Sequence, residues 1–142
     1  MVDIGDKAAT RRRAVAQAVL SATPQTIETL LGDTLRKGDA LAVARVAGIM
    51  AAKKTSDLIP LCHPLALSKV AIEIVPQDGG LLILATAETT GPTGVEMEAL
   101  TAASVTALTL YDMAKAMDRA MRVDGLCLVE KTGGKSGDYR KP

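Results

Sequence analysis

The sequence predicts an α+β protein, a ferredoxin-like sheet of βαββαβ type with its helices packed on one face. Three observations predict it. Residues 70–74 and 81–87 carry strand patterns on either side of Pro76-Gln77-Asp78-Gly79-Gly80, which reads as a hairpin. Two capped helical segments precede that hairpin and one long helical stretch follows it. Strand-like runs open and close the chain. The order is therefore strand, two helices, hairpin, long helix, strand.

Each element has a local cause. In residues 13–20, Val15, Gln17 and Val19 alternate with Ala14, Ala16 and Ala18, so one face is small and the other larger. Thr23-Pro24 starts a helix, because Thr can cap it and Pro fits its first turn. That helix runs to Leu31, and Gly32 can end it. Asp39 caps a second helix over residues 40–52, apolar on nearly every face except at Arg45, so it is expected to be buried or at an interface. Residues 58–65 hold Pro60 and Pro64 and are expected to form a rigid, irregular, apolar loop. Val70, Ile72 and Ile74 alternate with polar residues, the pattern of a half-buried strand. A long helix is expected over residues 95–121, and Asp124-Gly125 is expected to turn the chain into a last strand over 126–131. The chain reads as one domain over residues 1–142, with a glycine-rich tail from about 132 that is flexible unless something holds it.

Composition narrows the function. Lys and Arg number 17 against 16 Asp and Glu, so there is no basic excess of the kind a non-specific nucleic-acid binder shows. There is no Trp or Phe and only two Tyr, so no aromatic platform for stacking bases can be built. The chain has 23 Ala, which makes a core of small side chains and close helix contacts. A mean hydropathy of +0.20 is high for so small a protein and points to apolar surface buried against other subunits. The first residues are charged from Asp3 onward, which gives no secretory signal, and no uncharged run, the 13 residues from Ala99 to Tyr111 included, exceeds 14 residues, too short to span a bilayer. Two cysteines make no disulfide framework, so a reducing, cytoplasmic setting without membrane contact is expected.

Several groups could carry chemistry. Cys62 and His63 are adjacent and His63 is the single histidine, so no tetrahedral metal site is expected and no cofactor is called for. The proline-bracketed loop would hold the His63 imidazole firmly. Glu96 and Glu98 flank Met97 at the start of the long helix, where acids are stabilised by the helix dipole whether or not they act. Asp112 and Lys115, three apart, share a helix face and can pair. Gly134-Lys135-Ser136 resembles part of a phosphate-binding loop, but Val129 stands where that motif needs a glycine, and only six residues remain for the helix that must follow. The remaining options for this segment are a solvated tail or a glycine-rich anion nest in which backbone N–H groups and Lys135 meet a phosphate.

Taken together, these segments are specific. Ala47-Gly48-Ile49-Met50-Ala51-Ala52-Lys53-Lys54-Thr55, then Leu58-Ile59-Pro60-Leu61-Cys62-His63-Pro64-Leu65, resemble the MoaC family, the cyclic pyranopterin monophosphate synthases of molybdenum cofactor biosynthesis. Thr93-Gly94-Val95-Glu96-Met97-Glu98-Ala99-Leu100-Thr101, Tyr111-Asp112-Met113, Lys115 and Gly133-Gly134-Lys135-Ser136-Gly137-Asp138 are similar to the same family in the same order.

The resemblance implies a lyase. Its substrate is a cyclised dihydro-GTP made by a radical-SAM GTP cyclase, and its products are cyclic pyranopterin monophosphate and diphosphate. It also implies a homohexamer, a trimer of dimers, with sites at subunit interfaces. The residues at matching site positions are Lys7, Arg12, Lys37, His63, Glu96, Glu98, Asp112, Lys115 and Lys131, with Cys62 and Met97 as close neighbours. Asp112, Lys115, Lys37 and His63 are the candidates for catalysis. Lys7, Arg12, Cys62, His63, Glu96, Met97, Glu98 and Lys131 are those for substrate binding. These types suit the chemistry, since a triphosphate needs several cations and ring opening and closure need acids and bases. The competing reading is a non-catalytic oligomeric purine-nucleotide-binding protein, which would use the same cations but has no need of Asp112 beside Lys115.

Overall fold

The computed structural model describes residues 1–142. In chain order the elements are β1 (Thr10–Ser21), α1 (Pro24–Leu31), α2 (Ala40–Lys53), α3 (Thr55–Leu58), β2 (Lys69–Gln77), β3 (Gly80–Gly91), α4 (Glu96–Ala114), β4 (Arg122–Thr132) and β5 (Tyr139–Arg140). The sheet order is β2-β3-β1-β4-β5, with every neighbouring pair antiparallel. Without the short β5 this is the ferredoxin-like arrangement that the order of elements predicts.

β1 and β3 form the centre and pair without a break from Thr10 opposite Gly91 to Ser21 opposite Gly80. Their alternation selects one core face: Ala14, Ala16, Ala18 and Leu20 on β1, and Leu81, Ile83, Ala85 and Ala87 on β3, are all buried. α4 lays Ala99, Ala102, Ala103, Ala107 and Leu110 into the same core. Such small side chains bring helix and sheet close, and α2 crosses α4 as tightly. A Cβ on Gly48 would stand 2.1 Å from Thr106 Oγ1 and 3.1 Å from the Ala102 carbonyl oxygen. The second predicted helix, over 40–52, is α2. It buries Ala40, Ala44, Gly48, Ala51 and Ala52 and leaves Val43, Val46 and Met50 exposed.

α1 begins and ends as its residues dictate. Thr23 Oγ1 accepts from the Thr26 N–H, Pro24 occupies the first turn, and the Gly32 N–H returns to the Glu28 carbonyl. Asp39 caps α2 by accepting from the Ala42 N–H.

Several boundaries differ from the sequence expectation. The long helix ends at Ala114, not near 121, because Met117 and Asp118 both turn their N–H groups back to the Ala114 carbonyl. The Asp118 carboxylate then accepts from the N–H groups of Thr23 and Ala120, fixing this turn against the start of α1. The last strand starts at Arg122 rather than 126, so Asp124-Gly125 lies inside β4, where the register against β1 shifts between Gln17 and Val19. Gly125 has φ +63, a bulge conformation that a glycine takes without strain. Pro76 and Gln77 belong to β2, not to the turn; β2 is an edge strand, where a residue without an N–H is tolerated. Residues 58–65 are irregular beyond Leu58, which closes the single turn of α3.

After β4 the chain folds back on itself. The Gly133 N–H donates to Asp138 Oδ1, and the Gly137 N–H donates to the Gly134 carbonyl. Tyr139 and Arg140 then pair with Lys131 and Glu130. No helix is long and apolar enough to cross a membrane.

Candidate active site

The candidate residues fall into two groups, one at each end of α4. The first surrounds the N-terminal end. The proline-bracketed loop brings Cys62 and His63 to the first turn of α4, and together with Ile59, Leu61, Thr93 and Gly94 they border a cleft of about 310 Å³ that Glu96, Met97 and Glu98 complete. Glu98 is 3% exposed, and its Oε2 has no hydrogen-bond partner. Its Oε1 lies 3.8 Å from Cys62 Sγ, which donates to it. Burial pushes the Glu98 carboxyl above the usual carboxylate range, and burial together with the neighbouring Glu98 pushes the Cys62 thiol up as well. This end of the cleft therefore favours a neutral thiol beside a carboxyl that resists ionisation.

Glu96 behaves oppositely. Burial acts to raise its pKa, but the hydrogen bond from Lys131, at 2.9 Å, and the nearby Arg12 outweigh it and hold the carboxyl below its ordinary value. Two acids on one turn are thus set apart by environment, as Glu96 has cations and Glu98 has none. Gly94 makes room for Glu96, since a Cβ there would come within 2.0 Å of Glu96 Oε2.

Arg12, on β1, reaches this end from beneath. Its Nε donates to the Gly91 carbonyl at 3.1 Å. Lys131, on β4, also donates to Ser136 Oγ at 3.2 Å, so the returning tail is tied to the same lysine that holds Glu96. Lys7 lies with Arg12 on a cavity of about 460 Å³ next to the tail. Ser136 is a contact that the sequence reading did not find. The Gly-Lys-Ser run was the available signal, but nothing in its spacing names Lys131 as the hydroxyl's partner.

The second group is at the far end of α4. Asp112 Oδ1 is 2.8 Å from Lys115 Nζ and Oδ2 is 2.7 Å from Lys37 Nζ. Lys37 also donates to the Asp112 carbonyl oxygen at 3.3 Å. All three side chains are about half exposed. The two lysines lower the Asp112 pKa to about 2, Lys115 contributing most, and Asp112 in turn raises that of Lys115. The group is a carboxylate clamped between two ammonium ions. Lys37 comes from the connection between α1 and α2, a meeting that the sequence does not announce.

Within one chain the two groups do not meet. Glu98 and Asp112 are both on α4, 14 residues apart, which is about 21 Å of helix. No group of three or more His, Cys, Asp or Glu side chains is gathered as a metal would need.

The MoaC family profile matches residues 1–134 of this chain. Curated relatives called cyclic pyranopterin monophosphate synthase are similar along its whole length. The Herpetosiphon aurantiacus protein is 60% identical over 144 residues, covering 100% of this chain and 88% of that protein. The Nostoc sp. protein is 59% identical over 144 residues, covering 100% and 86%. The Brucella ovis protein is 57% identical over 141 residues, covering 98% and 86%. With the family profile matched across nearly every element described above, this chain belongs to the MoaC family.

Proposed function

We propose that this protein is a cyclic pyranopterin monophosphate synthase of molybdenum cofactor biosynthesis, a lyase that turns a cyclised dihydro-GTP into cyclic pyranopterin monophosphate and diphosphate. The observation that carries this reading is the likeness, along the whole chain, to relatives of that name. The geometry supplies the parts that such a reaction needs.

Forming the cyclic phosphate joins a substrate hydroxyl oxygen to the α-phosphorus and breaks the bond from that phosphorus to the oxygen carrying the β-phosphate. A proton leaves the hydroxyl, and negative charge gathers on the departing diphosphate. Lys7, Arg12 and Lys131 lie around one end of α4 and are suited to hold the phosphates. Cys62, His63, Met97 and Glu98 border the adjoining cleft, suited to the purine-derived rings. Asp112 keeps Lys115 protonated, so Lys115 enters as a proton donor, with Lys37 as its companion cation. His63 makes no side-chain hydrogen bond within the chain and is free to engage substrate.

A compact reaction centre cannot take Glu98 and Asp112 from the same helix. In this reading the protein works as a homohexamer, a trimer of dimers, in which one subunit's α4 start meets a neighbour's Asp112, Lys115 and Lys37. The exposed Val43, Val46 and Met50 on α2 are surface of the kind such an assembly covers. A radical-SAM GTP cyclase supplies the substrate, and the setting is the cytoplasm. The test is incubation with cyclised dihydro-GTP, followed for released diphosphate and for the pterin product. Binding without diphosphate release would leave a nucleotide-binding protein instead.

A further inference from the structure

Glu130, the residue before Lys131, has no part in the roles given above, and the strand that carries both is out of step with β1. In β4, Leu128 pairs with Ala16, but Glu130 pairs with Val15 and Lys131 with Ala14. Val129 is thus one residue more than β1 can match, a second β-bulge in the same strand. Its effect is to exchange faces. Partners across an antiparallel ladder point to the same side, and Ala14, Ala16 and Ala18 face the core. Before the bulge, Leu128 packs on that core. After it, Lys131 is on the same side and meets Glu96 of α4 at 2.9 Å. Glu130 is turned to the opposite face, between Arg13 on β1 and Arg140 on β5.

A regular ladder continued from Leu128 opposite Ala16 would put Glu130 opposite Ala14 and Lys131 opposite Arg13. That slip of one residue would bring an acid to Glu96 and a lysine to an arginine, two like-charge pairs in place of two attractive ones. Contacts on the far side of the sheet hold the observed register. Glu130 accepts from Arg13 and, at 3.2 Å, from Arg140. Arg13 in turn approaches Glu88, which Lys69 also approaches, so alternating charges run across all five strands. The Lys141 N–H donates to the Val129 carbonyl at 2.7 Å, so the returning tail binds the bulged residue itself.

We propose that Glu130, held between Arg13 and Arg140, is a positioning residue that keeps the bulge at Val129 and so delivers Lys131 to the start of α4. It acts through the strand, from the face of the sheet that the candidate site does not use. β5 has the same part: it is a two-residue clip that pairs only with Glu130 and Lys131 and fixes their phase.

The measure is the titration of Glu96, followed by carbon-13 NMR of side-chain carboxyls in the full-length, assembled protein, with Glu96→Gln to assign the signal. Burial alone would raise this carboxyl, and the hydrogen bond from Lys131 helps to bring it below its ordinary value, so its midpoint reports where Lys131 lies. Lys131→Met gives the full upward change. Glu130→Gln should move the midpoint up by about half of that change, and Glu130→Asp, which keeps the charge, should leave it low. Arg140→Ala removes a side chain that is 82% exposed, costs the fold little, and should move the midpoint the same way. Arg122→Ala breaks the exposed pair with Asp124 at the other end of β4 and should not move it. A merely structural Glu130 would lower the urea midpoint of Glu130→Gln and leave the Glu96 titration where it is. In turnover, Glu130→Gln should raise KM about tenfold with kcat nearly unchanged, and Glu130→Asp should not. That expectation alone rests on the phosphate role proposed above for Lys131. The titration needs no substrate, so a raised Glu96 midpoint with an unaltered KM would keep the positioning and remove the phosphate role. An unmoved Glu96 midpoint in folded Glu130→Gln, or in Arg140→Ala if Glu130→Gln does not fold, overturns the proposal.

Discussion

Glu98 and Asp112 stand at opposite ends of α4, about 21 Å apart along its axis, each inside a different cluster of candidate residues. Glu98 is buried and lacks cations, whereas Asp112 is exposed and has two. If both serve one reaction, two chains must build each site. Mixing inactive Glu98→Ala and Lys115→Ala proteins under subunit exchange should then restore part of the activity. Confirmed mixed oligomers that stay inactive would refute the shared site.

Lys115 is expected to be indispensable. Its ammonium is 2.8 Å from Asp112, on an exposed turn where it buries nothing. Lys115→Ala should therefore abolish turnover while circular dichroism and oligomer size stay unchanged. Turnover within about tenfold of the unmodified protein would remove the proton-donor role.

The clamp also fixes a pH dependence. The pKa of Asp112 falls from 3.8 to about 2 on folding, so its stabilising effect is complete above about pH 4 and is lost as pH falls through about 2. Lys115, raised above its ordinary value, stays charged well past neutrality. Neither group should titrate between about pH 5 and 9 in the free enzyme. A limb of the kcat/KM profile in that range that disappears in Asp112→Asn would contradict this.

Glu98 has the opposite sign. Its folded pKa is raised by burial, so the protonated form is favoured by folding, and stability declines as pH rises from the ordinary glutamate value through the folded one. Glu98→Gln keeps the shape and removes the ionisation. It should raise stability at neutral pH by about 1 kcal/mol and flatten the decline, as read by urea unfolding at several pH values. The same substitution should impair turnover if Glu98 binds substrate. Lower stability than the unmodified protein at pH 7 would mean that the carboxylate has a favourable partner.

Gly48 tests the helix crossing. A methyl there would meet Thr106 Oγ1 and the Ala102 carbonyl on α4. Gly48→Ala should cost about 1–3 kcal/mol through overpacking, outweighing the better helix propensity of alanine. Unfolding midpoints in urea give the answer, and an unchanged midpoint would show that α2 can move away freely.

Where a feature depends on near neighbours in the chain, the sequence alone determined it. Thr23, Pro24 and Gly32 mark both ends of α1, and Asp39 marks the start of α2, because caps act within one turn. The alanines of β1 face the core because side chains alternate in any strand. The order of elements was enough for the ferredoxin-like class, and the motif runs were enough for the family. Contacts between distant segments belong to tertiary structure. Helix propensity runs on past Ala114, but the turn there is held by Asp118 reaching Thr23, 95 residues away. The entry of Arg122 into β4 needs β1 beside it, and Gly125 lies in a bulge only because the pairs Gln17–Cys127 and Val19–Asp124 leave Gly125 and Leu126 together facing Ala18. Lys37 reaches Asp112 across 75 residues, and Ser136 finds Lys131 only when the tail turns back. The sequence named most of the charged groups, but only the folded chain decided which of them neutralise one another and which stand without a counter-charge, since that depends on distances in space that residue spacing does not encode.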